Sequence, residues 1–307
     1  MERLLTLEQQ LNQLGIPVRT AVPLAPYTTF HIGGPASLLI EPTDERELIA
    51  AVRAVRESGV FSLMLGRGSN VLLPDEGIMG AVIRTASVKA LCVQGTSIIA
   101  SCGDTLHDIA CAAQEAGLTG VAFAYGIPGT LGGALFMNAG AYGGQMADIV
   151  SMVRVYDTEQ DRFITLDSEQ MDFSYRHSAL QAHPEWLVLG ATLCLSHGNS
   201  VAIKSQMREF MQRRRDKQPL EFPSAGSTFK RPEGAFAGQL IEQSGLKGCR
   251  IGGAMVSTKH AGFIVNAGGA TARDVLALIE HVRSVVKRDH GIELESEVQI
   301  LTSHMAK

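Results

Sequence analysis

The sequence predicts a mixed α/β or α+β enzyme-like chain of two or three domains, and three observations carry that reading. At 307 residues the chain exceeds what one compact core usually holds. It is 45% hydrophobic and 19% charged, which suits a globular chain with a sizeable buried core. Two strand–helix–strand passages can be read before residue 120, as in folds that layer helices on sheets. The charge balance excludes one broad class of partner. Twenty-seven basic side chains against 31 acidic ones leave −4, which gives no general attraction to nucleic acid or to an anionic membrane.

The five cysteines, Cys92, Cys102, Cys111, Cys194 and Cys249, are odd in number and form no C-x-x-C pair. The expectation is a reducing compartment, with the thiols buried as small hydrophobes. The opening Met1-Glu2-Arg3-Leu4-Leu5 lacks the apolar core of a signal peptide. No run approaches the roughly 18 apolar residues of a membrane span. A cytoplasmic protein that does not enter the membrane is expected.

Taken in order, the first element is an amphipathic helix with Leu4, Leu5, Leu11 and Leu14, ending at Gly15. A strand at Ala36 to Ile40 leads to a helix opened by Asp44, with Glu47 at the capping-box offset and Leu48, Val52 and Val55 at helical spacing. Phe61 to Leu65 reads as a strand. The second passage has a strand at Ser97 to Ser101 and a helix marked by Leu106, Ile109, Ala113 and Ala116, stopped by Gly117. After a glycine-dense segment, strands are expected between Ile149 and Leu195. Asn199 or Ser200 then caps a helix carrying Ile203, Met207, Phe210 and Met211. A further helix is expected near Ala235 to Gln243. A long one follows Thr271, with Asp274 completing a capping box, a Val275, Ile279, Val282, Val286 stripe and Gly291 as stop. Ile292 to Leu301 alternates polar and apolar residues as a closing strand would. The domain boundary is placed near residue 200.

Glycine is the compositional outlier, with 32 residues, and two segments concentrate its meaning. Gly66-Arg67-Gly68-Ser69-Asn70 follows a strand. Its glycines let backbone amides approach an anion, and Ser69 and Asn70 add side-chain donors. It is neither a Rossmann fingerprint nor a Walker loop, and read alone it is equally a tight structural turn. The second segment is more specific. Gly126-Ile127-Pro128-Gly129, then Gly132-Gly133-Ala134, then Asn138-Ala139-Gly140 and Tyr142 are small and mostly neutral, so the chain can lie flat against a large cofactor. A packed helix contact or a flexible lid is the structural alternative, and Pro128 favours a fixed path. Two such cradles suit a dinucleotide held extended, for which FAD is the candidate. His31, His177 and His260 share no metal-ligand spacing, and no metal is expected.

With these segments in place, the chain resembles the UDP-N-acetylenolpyruvoylglucosamine reductase (MurB) family. The resemblance spans about Thr28 to Leu301. It runs through Thr29-Phe30-His31-Ile32-Gly33-Gly34, both glycine segments, Tyr175-Arg176-His177-Ser178 and Lys217-Gln218-Pro219. It continues through Ser224-Ala225-Gly226-Ser227-Thr228-Phe229-Lys230, Lys259-His260-Ala261 and Leu294-Glu295-Ser296-Glu297-Val298. The chain is most similar to the shorter class, which lacks an inserted substrate-covering loop and its tyrosine. The resemblance implies an α+β chain whose FAD-binding domain is of the vanillyl-alcohol-oxidase type, in two α/β lobes at 1–85 and 86–200. A smaller α+β substrate domain follows at 201–307. It implies non-covalent FAD, since no histidine or cysteine falls in a linkage motif, and NADPH as co-substrate. The partner would be a small nucleotide sugar, with oligomeric state open and a monomer the simplest case.

The resemblance also implies roles. Arg176, a permanent cation, would hold the substrate carboxylate and stabilise the enolate. Ser227 would give the proton, helped by Lys217 or Lys230. Glu297 would donate a hydrogen bond if burial kept it protonated, with Glu295 of the same strand parity as its competitor. Lys217 and Arg231 would bind the diphosphate or uridine side. The run Arg213-Arg214-Arg215 is read as a solvated helix end suited to the helix dipole. Two other readings stand beside the reductase. One is a flavin oxidase of the same fold acting on another sugar or hydroxy acid; the other is a non-catalytic nucleotide-sugar binding protein.

Overall fold

The structure, a computed structural model, describes residues 2–301; the last six residues of the expected third domain lie outside the described residues. Seven α-helices occur among the described residues: α1 (Glu2–Gln13), α2 (Glu45–Ser58), α3 (Leu106–Glu115), α4 (Leu131–Phe136), α5 (Ser200–Lys217), α6 (Ala237–Gln243) and α7 (Ala272–His290). Their ends follow the sequence chemistry. The Asp44 carboxylate accepts from the Glu47 amide at the start of α2, and Gly59 closes it with φ +63°. The return bond of the expected box shifts by one residue, because the Glu47 carboxylate takes the amide and hydroxyl of Thr43. At α7 both halves of the Thr271–Asp274 box form, and Gly291 ends the helix at φ +69°. The Asp75 carboxylate adds acceptors for the amides of Ala272 and Arg273, satisfying first-turn donors that have no partner within the helix.

A four-stranded sheet has the spatial order Val18–Pro23, Pro35–Ile40, Ile78–Arg84, Ser62–Leu65; the last pair is parallel, with Ser62 opposite Ala81. A five-stranded antiparallel sheet is ordered Arg162–Asp167, Val150–Asp157, Trp186–Cys194, Ser97–Ser101, Cys92–Gln94. Its register sets Val155 opposite Ile164 and Ala191 opposite Ala100. Asp157 turns the first hairpin by accepting from the amides of Glu159 and Gln160. A three-stranded antiparallel sheet of Arg250–Ile251, Ala254–Val256 and Ile264–Asn266 stands near the C-terminal end.

The chain divides into two compact units, each discontinuous in sequence: 1–19, 38–66 and 81–214 form the first, and 20–37, 67–80 and the residues from 215 onward form the second. The first unit holds two apolar cores. One gathers α1 and α2 around Leu7, Leu48, Val55 and Ile83. The other gathers α3, α4 and α5 around Ile98, Val153, Leu135 and Met207. The second unit is built on α6 and α7, through Ile241, Leu278, Val282 and Val286.

Three expectations are corrected here. In α1 the buried face is Leu7 and Leu11, while Leu5 and Leu14 are exposed, because only the former stack one helical turn apart against α2. The closing strand is not continuous over 292–301. It forms one bridge at Ser296 and then the pair Gln299–Ile300, which runs parallel to Val71–Leu72. The alternating pattern there follows burial of Leu294 and Val298 rather than a ladder. Of the cysteines only Cys102 is buried, its thiol pushed up to about 12 mainly by that burial; Cys92 and Cys194 are exposed near ends of strands.

Leu278 is fully buried in α7, and Leu276, two residues before it, is 37% exposed. Leu278→Ala should lower unfolding free energy by about 2–5 kcal/mol and Leu276→Ala by less than about 1 kcal/mol, read from paired urea melts.

Candidate functional site: a glycine cradle and two positioned turns

In the first unit the glycine segment is tied down at its root. The carboxylate of buried Asp104 accepts from the amides of Ser101 and Ala90, which fixes the turn after the Ser97–Ser101 strand. That turn then offers carbonyls to α4: Leu131 N–H donates to Asp104 and Gly132 N–H to Cys102, while Leu106 N–H donates to Gly129. Gly132 and Ala134 therefore face the protein, and a Cβ on Gly132 would lie 3.2 Å from the Cys102 carbonyl. Gly133 and Pro128 are exposed, on the opposite side of the path. The two glycine segments meet inside this unit, since a Cβ on Gly66 would lie 2.5 Å from the Thr130 hydroxyl.

The chain continues from Gly66 into the second unit. Gly68 is buried at φ +60°, and a Cβ there would overlap the Tyr27 carbonyl. The amides of Arg67, Gly68 and Ser69 and the Ser69 hydroxyl donate to no acceptor among the described residues. A run of backbone donors that the protein leaves unsatisfied, on a path where side chains are excluded, fits the phosphates of a dinucleotide. Asn70 is different: its side chain donates to the Glu297 carbonyl at 3.2 Å and its own carbonyl accepts from Gln299.

Arg176 lies in a two-residue turn closed by reciprocal backbone bonds between Ser174 and His177, and it sits at φ +55°. Buried Asn138 holds this turn. Its amide group donates to the Ser174 carbonyl at 2.9 Å and to Gln145, and its oxygen accepts from Ala147. The Ser178 hydroxyl and the Gln181 amide, bonded to the Phe136 carbonyl, fix the other side; Gln181 also donates to the Arg176 carbonyl. The Arg176 guanidinium reaches the Gly140 carbonyl at 3.4 Å and lies over Tyr175. Asn138, expected against a cofactor, is thus committed to supporting the arginine turn.

In the second unit the Ser227 and Glu297 segments run side by side. Glu297 N–H donates to Thr228, Lys230 N–H donates to Glu295, and Phe229 bridges Ser296. Gly226 at φ +82° brings the chain into Ser227, whose half-buried hydroxyl has no partner among the described residues. Glu295 is exposed and pairs with Lys230 at 3.3 Å, whereas Glu297 is half-buried. Lys230 is therefore engaged by a carboxylate, and Lys217 is exposed at the end of α5. Arg231 is exposed, its guanidinium stacked 4.1 Å from the Phe236 ring centroid.

Two residues escaped the sequence reading. His260 accepts from Gly262 N–H through Nδ1, and the Gly262 carbonyl accepts from Thr228 N–H, next to Ser227. Arg214 is not a solvated member of its basic run. Burial pushes its pKa down, and its stem packs on Gly126. The signal was available, because Arg214 continues the Ile203, Met207, Phe210 stripe at helical spacing.

Residues 36–166 match an FAD-binding domain family, and residues 218–301 match the C-terminal domain family of UDP-N-acetylenolpyruvoylglucosamine reductase. With the cradle described above, these define an α+β flavoprotein with an FAD-binding domain. Proteins named UDP-N-acetylenolpyruvoylglucosamine reductase from Caldanaerobacter subterraneus subsp. tengcongensis and Clostridium perfringens are 50% and 46% identical over 279 residues. The matches cover 91% of this chain and 92% and 91% of theirs. The crystal structure of the Thermus caldophilus reductase (MurB) matches with a TM-score of 0.79 at 34% identity, over 94% of this chain and 100% of that one. The chain belongs to the UDP-N-acetylenolpyruvoylglucosamine reductase family. No helix among the described residues is long and apolar enough to cross a membrane.

Asn138→Ala should speed hydrogen exchange at the amides of Ser174 and His177 and cost about 1–3 kcal/mol of stability, measured by exchange mass spectrometry and urea melts. Burial also holds the His260 imidazole below its ordinary 6.5, with Lys247 and Lys217 pushing the same way and Glu242 opposing. A lowered histidine pKa means the unfolded chain takes up the proton first. This stability is complete above about pH 6.5 and is lost as pH falls toward the folded value. Urea midpoints should drop between pH 7 and pH 5, and His260→Asn, which keeps an acceptor but does not titrate, should flatten that drop.

Proposed function

We propose that this chain reduces UDP-N-acetylglucosamine enolpyruvate to UDP-N-acetylmuramate with NADPH, through non-covalently bound FAD, in cytoplasmic peptidoglycan precursor synthesis. Membership in the reductase family carries this reading, and the unsatisfied amides of Arg67, Gly68 and Ser69 support the cofactor. Gly66–Asn70 and Gly126–Tyr142 would hold FAD, with Asn70 and Asn138 acting on the protein side of the cradle. FAD bound there would supply hydride transfer between NADPH and the enolpyruvyl group.

The chain's own residues supply the rest. Negative charge develops on the carbon next to the carboxylate, and Arg176 binds that carboxylate as a permanent cation in a turn fixed by Asn138. Ser227 delivers the proton to that carbon; its hydroxyl has no competing partner among the described residues, which supports the role. In its acid form Glu297 would donate a hydrogen bond to the developing enolate, and its half-burial beside the Ser227 segment supports it over exposed Glu295. Lys217 and Arg231 bind the nucleotide side of the substrate. The two cores of the first unit support two cofactor lobes, drawn from 1–19, 38–66 and 81–214 rather than cut at 85 and 200, and α6 and α7 support a substrate domain in the second unit.

Anaerobic spectroscopy separates the half-reactions. NADPH should bleach the flavin of Ser227→Ala at the wild-type rate, while reoxidation by the enolpyruvyl substrate should slow by ~10²–10⁴-fold. Unchanged reoxidation removes Ser227 from the mechanism. Flavin that recovers only with oxygen, in the wild type, makes the protein an oxidase instead.

A further inference from the structure

The α5 stripe ends in a charge. Ile203 and Met207 are buried in the first unit's core, and Phe210 stacks on Tyr142 with ring centroids 4.6 Å apart and planes 11° apart. Arg214 follows one turn later. Its side chain lies along the glycine segment, where a Cβ on Gly126 would be 3.2 Å from its Cδ and 3.7 Å from Nη1. Its neighbours in the basic run are exposed, and Arg213 is paired with Glu209 at 2.5 Å. Arg214 is half-buried and makes no hydrogen bond or ion pair among the described residues.

A guanidinium presents five donors, and withdrawing it from water without an acceptor costs several kcal/mol. Snorkelling to solvent is the usual escape for an arginine on a helix, as Arg213 shows. Arg214 instead lays its stem on Gly126, beside Met211, and is half-buried there. Such a cation is stable where an anion arrives from outside the protein.

We propose that Arg214 is a cofactor-binding residue, its guanidinium taking an anionic group of the flavin nucleotide held along Gly126–Tyr142. This rests on the FAD reading of the cradle. The anion has two sources, the diphosphate or the pyrimidine edge of the ring system, which becomes more negative as the flavin accepts electrons. Arg214 enters neither the proton delivery nor the substrate contacts assigned above.

The test uses purified holoenzyme with Arg214→Met, which keeps the stem's volume, Arg214→Lys, and Arg213→Met as the solvated control. FAD release on dilution is read from the recovery of free-flavin fluorescence, the midpoint potential by dye-coupled reduction, and folding by urea melts. Arg214→Met should raise the FAD dissociation constant ~10–100-fold, as expected for loss of a charge-assisted bond, and Arg213→Met should leave it within about twofold. Weaker binding with an unchanged potential places the anion at the diphosphate; a potential shifted to more negative values places it at the ring. Folded Arg214→Met that binds FAD within twofold of wild type at an unchanged potential overturns the proposal. If Arg214→Met does not fold, Arg214→Lys decides: a dissociation constant at least threefold above wild type supports the role, and one equal to wild type overturns it. Wild-type protein that carries no flavin and takes up no FAD overturns the cofactor reading itself, a result distinct from either arm.

Discussion

One buried carboxylate organises the first unit. Asp104 turns the chain at the end of a central strand by accepting two amides, and its own carbonyl then receives the first amide of α4. Because a buried carboxylate must have its lone pairs filled, this turn has little freedom. The glycine segment is therefore fixed at its root, with one side (Gly132, Ala134) in the protein and the other (Pro128, Gly133) outward. Without that turn, the residues from Gly126 to Tyr142 would be a flexible tract, and small side chains alone would define no cradle. Asn138 extends the same rigidity by bonding the turn that carries Arg176.

The second unit reaches comparable order through backbone pairing. The segments 228–230 and 295–297 exchange amide bonds, and Thr228 is tied to Gly262, whose amide is held by His260. Ser227 thus sits one residue from a backbone position fixed on two sides, while Gly226 supplies the left-handed bend that leads into it. The helices behind this arrangement contribute burial: α7 packs a continuous stripe from Val275 to Val286, and Asp75 fixes its first turn.

Several signals of this order were legible in local sequence. Caps at Asp44 and Thr271 and the stop at Gly291 depend on neighbours three or four residues away, and all three formed. Where the reading departed from the structure, the missing information was long-range. Leu5 and Leu7 are equally apolar, and only the approach of α2 decides that Leu7 is buried. Alternation at 292–301 imitates a strand, yet the available partners are a single bridge and a two-residue parallel pair. The cysteines are similar in local context, and strand position exposes Cys92 and Cys194.

By itself, then, the sequence determined the helices other than α4, the caps at Asp44 and Thr271, the glycine-rich path and the ordered blocks that place the chain in its family, because these follow from periodicity, backbone sterics and motif order. Tertiary structure decided what each polar group in those blocks does. Asn138 turned inward to hold an arginine turn, Asn70 bonded the Glu297 backbone, Glu295 went to solvent with Lys230, and Arg214 left its solvated neighbours for the glycine surface. The reason is physical: a hydrogen bond or an ion pair depends on where its partner lies in space, and these partners are up to 227 residues away along the chain.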